Sequence, residues 1–393
     1  MKPIYLDHNA TTPVDPQVLD AMIPYMTEKF GNASSMHSFG REGKVALENS
    51  RATIAELLGA ETSEIYFTSG GTEADNIALK GVARALKKKR SRVLYSAIEH
   101  SAIRQSALAL IDEGFITEAL PVTKEGYVTE KTLSDALDDN TSLVSIMHSN
   151  NEVGVIQDIP ALVEVAHSRR TLFHTDAVQS MGKIPVNVDD LGVDLLTISA
   201  HKIYGPKGAG VVYARSGVMI SPLVHGGSHE KGRRPGTENV AGAVGLAKAL
   251  ELVLARQESE YKRMIELSEK FIKKLRSRIE NMSLNGPELV EGELTRVPST
   301  VNLSFDGAEG EPIILSLDIE SVAVSSGSAC SSGAVEPSPV LLAMGSTPEL
   351  AKSSIRFSMG KSTTVADIDR VGEILPDVIS RIRKMSPQYA EAD

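Results

Sequence analysis

From about residue 65 to residue 214, short β-rich runs alternate with helical patterns, and this alternation limits the fold more than any other feature of the chain. Runs at Ile65–Thr68, Arg92–Ser96, 142–148, 171–175, Leu195–Ser199 and Gly210–Ala214 read as strands. Residues 72–90 carry Ile77, Leu79, Val82 and Leu86 at helical spacing, and 159–167 fits a further helix. Thr72 with Asp75 resembles a capping box at the head of the first of these. Strands separated by helices imply an α/β fold, a mainly parallel sheet flanked by helices.

The texture changes after Gly236. Residues 240–278 read as one long helix carrying Leu246, Leu250, Val253, Leu254, Ile265 and Leu267, able to bridge two domains. Strands are expected at 299–305, 322–325 and Ser354–Ser358, with a final helix from 364 to about 384. A chain of 393 residues exceeds one ordinary core. We therefore expect a large α/β domain over 15–258 and a smaller α+β domain built from 1–14 and 259–393.

Charge and composition remove several function classes. A net charge of −10, 4% aromatics and no tryptophan argue against a nucleic-acid surface. The basic run Lys87-Lys88-Lys89-Arg90 ends a predicted helix, where cations complement the helix dipole. No stretch approaches the ~20 apolar residues of a membrane span. The opening "MKPIYLDHNATTP" has no long apolar run and is not expected to be a signal peptide. One cysteine, Cys330, allows no internal disulfide and no Cys-based structural zinc site, which suits a reducing cytoplasm. His225 and His229 flank Gly226-Gly227, which breaks the helix a zinc pair would use, so no metal site is expected.

Ligands of open parallel sheets sit beyond the carboxyl ends of the strands. Thr72, His100, Asn151, Asp176, His201 and Lys202 all fall at such ends, which points to an enzyme. In "TSGGTE", a strand runs into Gly70-Gly71 and a helix start, a phosphate site in some αβ turns and a plain turn in many others. Lys202, after the strand of "LLTISAHKIYGPKG", could stay solvated; in a desolvated cleft it could form a Schiff base. Asp176 needs a partner, either a simple salt bridge or a pyridinium N–H. His100 alone reads as structural. Together these residues meet the needs of pyridoxal phosphate: a Schiff-base lysine, an acid for the ring nitrogen and a phosphate cup.

Longer motifs carry a resemblance over essentially the whole chain, in order: "YLDHNATTPVDPQVLDAM", "FGNASSMHSFG", "FTSGGTEADN", "HSNNEVGVIQDI", "FHTDAVQSMGKIPV", "SAHKIYGPKGAG", "GGSHEKGRRPGTENV", "SSGSACSSG" and "SSIRFSMG". In these the chain resembles the cysteine desulfurases, the group I (NifS/IscS-like) branch of the class V pyridoxal-phosphate enzymes. The resemblance implies fold type I, with a seven-stranded sheet in the large domain, and a homodimer. It implies Lys202 as the Schiff-base lysine, Asp176 at the ring nitrogen, Gln179 at the ring oxygen, and His100 stacked on the ring and active in proton transfer. Gly71, Thr72, Ser199 and His201 would hold the phosphate, with Thr237 reaching that of the other subunit. Asn151 and Arg356 would hold the substrate carboxylate. Cys330, on a small-residue loop over about 326–344, would take sulfur from L-cysteine as a persulfide, leave alanine, and hand the sulfur to an acceptor such as an iron–sulfur scaffold protein. A transient place as an iron–sulfur ligand is open to it.

Ser228 stands where the family usually has a third glycine, and Pro235 where a small residue is usual. These put the subunit-crossing contact of Thr237 in doubt. Within the same fold, a selenocysteine lyase or a class V aminotransferase is the alternative, and an aminotransferase needs no thiol at 330. A non-enzymatic sulfur-binding protein is the other, against which stand Lys202, Asp176, His100 and Arg356.

Overall fold

The computed structural model describes residues 2–290, 292–326 and 336–385. Its strands, in chain order, are β1 (Ile4–Tyr5), β2 (Ile65–Thr68), β3 (Arg92–Ser96), β4 (Ile116–Leu120), β5 (Thr141–Ser145), β6 (Leu172–Asp176), β7 (Leu195–Ser199), β8 (Gly210–Ala214), β9 (Met282–Leu284), β10 (Thr300–Phe305), β11 (Val322–Ala323) and β12 (Ser354–Ser358).

Seven of them form one sheet in the order β2-β8-β7-β6-β5-β3-β4. All neighbours are parallel except the two pairs made by β8. Every residue of β5, β7 and β8 is buried, as strands covered on both faces must be. On one face Leu94, Phe173 and Leu196 pack with Ile54, Leu246 and Leu250 from helices. On the other, Val93, Leu195 and Val212 pack with Leu79, Val82 and Leu110. The edge strand β4 has no counterpart in the sequence reading. Its sequence, ITEAL, is mostly exposed, and Glu118 pairs with Arg92, so it lacks the apolar run of a central strand.

The helix after β2 starts at Gly71 and continues through a π turn at Ile77–Gly81 to Leu86. The expected capping box is absent. Gly70, at φ +148°, is the cap, Thr72 lies inside the helix, and Asp75 turns into the core at 1% exposure. Glu73 serves the turn instead, accepting from the Ser69 N–H at 2.5 Å.

The expected helix over 240–278 is two, Val240–Leu254 and Gln257–Arg276, broken at Ala255 and Arg256. Each half answers to a different partner. The first packs on the helices Pro16–Thr27 and Ser38–Leu58. The second packs with β10 and the helix Val365–Met385 around Phe271, Phe305, Phe357 and Leu375. Phe271 and Phe357 meet edge to face at 5.1 Å.

That second core carries the antiparallel sheet β12-β10-β9. β1 pairs parallel with β11, and Asp7 bridges to Ser358 of β12. Residues 4–10 are thereby tied to the smaller sheets while reaching Lys202 at the end of the large one. No helix among the described residues is long and apolar enough to cross a membrane.

Candidate active site

β6 ends on Asp176, which is buried. One carboxylate oxygen accepts from the Val178 N–H at 2.8 Å, and among the described residues no cation forms an ion pair with it. Burial raises its pKa, opposed by the charges of His100 and Lys202. Two more buried acids crowd it. Asp75 is pushed well up by burial and then by Asp176. Glu99 is pushed well up for the same two reasons, although it accepts from the Met147 N–H at 2.6 Å. A buried carboxylate so weakly satisfied is costly, and a cationic N–H donor placed against it would relieve that cost.

Lys202 lies in a short turn just after β7. Its ammonium donates to the carbonyls of Asn9 at 2.6 Å and Ala10 at 2.7 Å. Burial, and then Arg356, lower its pKa to about 8. The neighbouring His201 hydrogen-bonds the Thr11 hydroxyl through Nδ1 at 3.1 Å, and burial with Lys202 and Lys207 lowers it to about 4. Its ring is thus neutral. A Cβ added to Gly71 would lie 3.2 Å from a Val178 methyl and 3.6 Å from Ser199 Cβ, so the helix start sits hard against the end of β7. Gly71 and Ser199 are thereby neighbours, while Thr72 is exposed in the first turn of that helix.

Arg356, on β12, is 4% exposed. Nη1 donates to the Asn151 carbonyl at 3.1 Å and Nη2 to Asp7 Oδ1 at 2.8 Å. Its buried Nε has no acceptor among the described residues. Asn151 enters through its backbone carbonyl. Gln179 is buried; its Nε2 donates to the Asn9 backbone carbonyl at 2.9 Å. His100 caps the helix Ser101–Asp112, where its Nδ1 accepts from the Ala102 N–H at 3.2 Å. The neutral ring then carries its proton on Nε2. Partial desolvation lowers its pKa, opposed by Asp176 and assisted by Lys202.

Asp7, Asn9 and Lys183 had no role in the sequence reading, although "YLDHNATTP" and "SMGKIPV" contain them. Asn9 joins the parts: its Nδ2 donates to the Asn151 carbonyl at 3.1 Å and to Thr300 Oγ1 at 2.9 Å. Thr237 is exposed and stands outside this network. Cys330 lies outside the described residues. Its approach is described: Ser325, five residues earlier, exchanges backbone hydrogen bonds with Arg356, at 2.7 Å and 3.3 Å.

Comparison with known proteins agrees with this chemistry. The profile of the family described as Aminotransferase class-V matches residues 4–371. "Cysteine desulfurase IscS" of Dictyoglomus turgidum is 49% identical over 99% of this chain and 97% of its own. The protein of the same name from Methanosarcina thermophila is 45% identical over 98% of this chain and 94% of its own. Among solved structures, a "NifS-like protein" aligns with a TM-score of 0.90 at 36% identity, covering 97% of this chain and all of that one.

Proposed function

The chain belongs to the class-V aminotransferase family, and we propose that within it the protein is a pyridoxal-phosphate-dependent cysteine desulfurase. The relatives named above support this reading. The observation that carries it is the convergence, beyond the carboxyl ends of β6 and β7, of Asp176, buried without an ion-pair partner among the described residues, Lys202 with its depressed amine, and Arg356 with a buried N–H to spare.

The residues present fit pyridoxal phosphate. Asp176 suits its ring nitrogen and Gln179 its ring oxygen; Gly71, Thr72, Ser199 and His201 suit its phosphate. When bound, the coenzyme supplies an electron sink for charge at the α-carbon of an amino acid. The protein does the rest. Lys202, titrating at about 8, is neutral in a usable fraction near physiological pH and can take a proton. His100 presents an Nε2 proton to the cleft. Arg356, oriented by its bond to the Asn151 carbonyl, fixes the carboxylate end of L-cysteine, so the sulfur end is left to face the attacker.

Cys330 is that attacker. Its thiolate bonds to the substrate sulfur, the carbon–sulfur bond breaks, and its electron pair with protons from the site completes alanine. The protein keeps the sulfur as a persulfide. Five residues of chain reach at most about 17 Å, and Ser325 starts that tether beside Arg356. Small residues around Cys330 suit a carrier that must reach inward and then outward. Delivery goes to an acceptor such as an iron–sulfur scaffold protein. We further propose a cytoplasmic homodimer, divided near residue 258, in which Thr237 reaches the partner's phosphate cup.

Cys330→Ala tests the assignment: the yellow coenzyme band is retained and persulfide formation is lost. Sulfide release with a reductant at the wild-type rate contradicts it.

A further inference from the structure

Lys183 is half-buried, and among the described residues no carboxylate pairs with it. Its ammonium donates to Gln179 Oε1 at 2.7 Å and to Asn9 Oδ1 at 2.9 Å. Drawing a cation even partly out of water without a counter-charge has a cost, and a packing task needs no cation. We propose that Lys183 is a positioning residue for the desulfurase reaction: it fixes the sense of two amides, that of Gln179, aimed at the coenzyme ring oxygen and at the Asn9 backbone carbonyl that Lys202 also donates to, and that of Asn9, aimed at the Asn151 backbone carbonyl that Arg356 also donates to. This rests on the reading of the site given above.

The physical reason is that an ammonium can only donate. It therefore bonds the oxygen of each amide and turns both NH₂ groups away from itself. For Gln179, that aims Nε2 at the Asn9 carbonyl and the cleft. For Asn9, it aims Nδ2 at the Asn151 carbonyl and Thr300 Oγ1. The Asn9 carbonyl in turn accepts from Lys202, and the Asn151 carbonyl from Arg356. One donor-only group thus sets the lysine end and the carboxylate end of the site together. A glutamine or methionine at 183 would leave each amide free to flip.

The charges facing Lys183 are those of Lys202 and Arg356, with the neighbouring imidazole of His8. None is negative. Burial and these two cations lower Lys183 to about 7, and the anionic oxygen of a bound coenzyme ring would restore its charge.

The test compares K183M and K183R with wild type as purified, coenzyme-loaded enzymes, without substrate and then with L-cysteine. K183M removes a positive charge and frees the Gln179 amide to turn its N–H from the ring oxygen, so the pH midpoint of the visible band should rise by roughly one unit, mainly through the lost amide donor. K183R, a donor-only cation, should bring it most of the way back. On L-cysteine, K183M should lose roughly ten- to a hundredfold in kcat/KM. In a Q179L background the K183M shift should be at most half as large. An unmoved midpoint in loaded K183M, or one that K183R leaves where K183M put it, overturns the proposal. So does a full shift in the Q179L background. If neither K183M nor K183Q folds, the lysine is a structural residue and the proposal is wrong. A wild type that binds no coenzyme overturns the functional reading instead.

Discussion

At the scale of residues, each main group has a separable signature. Lys202 titrates at about 8 rather than at the ordinary lysine value. Its neutral form is the one that condenses with an aldehyde, so coenzyme capture by the coenzyme-free protein should speed up about tenfold per pH unit below 8 and level off above it. The growth of the visible band, followed by stopped flow, reports this; a rate flat from pH 6 to 9 contradicts the desolvated amine. Lys202→Ala should show no such band. Arg356→Ala should raise KM for L-cysteine about ten- to a hundredfold, the loss of charge-assisted hydrogen bonds to a group the reaction leaves unchanged, with a smaller effect on kcat. Steady-state kinetics decides, and an unchanged KM removes Arg356 from the substrate site. Lys202 and Asp176 were legible in sequence because each follows or ends an apolar strand, where a charged side chain is out of place unless it has a task; Arg356 was named only through the family resemblance. Asp7, Asn9 and Lys183 were not. They act through carbonyls and amides of residues up to about 350 positions away, a relation that only the folded chain displays.

At the scale of elements, the strand ends make the site, and backbone contact holds them. A Cβ on Gly210 of β8 would fall 2.6 Å from Gly70 Cα, backbone against backbone. Gly210→Ala should therefore push the phosphate turn away from the sheet and weaken coenzyme affinity roughly tenfold or more. Titration of the coenzyme-free protein measures this, and unaltered affinity would show that the turn does not depend on that approach. The parallel strands were readable because burial on both faces leaves continuous apolar runs. β4 was not, since an edge strand with Glu118 facing water carries no such run. The cap of the helix after β2 was misread for a local reason: Gly70 takes the positive φ itself, so no hydroxyl is required there. The break at Ala255 and Arg256 was hidden because both residues are good helix formers; two cores pulling in different directions end the helix there, not composition.

At the scale of the whole molecule, the site is assembled from three places. The large sheet provides Asp176 and Lys202, β12 provides Arg356, and the first ten residues run between them. The proposed dimer adds a fourth. Thr237→Ala and Lys202→Ala subunits should each be impaired alone, yet mixed and re-equilibrated dimers should regain activity, because one of the two sites then has both residues intact. Failure to recover in dimers shown to have exchanged places Thr237 in its own subunit's affairs. The central claim is that the chain ends as a sulfur carrier, and it is tested most directly by mass spectrometry of the protein after L-cysteine in the absence of reductant. The account predicts one or more sulfur atoms added on the peptide containing Cys330, with alanine released in equal amount over the first turnover. An unmodified Cys330 alongside released alanine would contradict it.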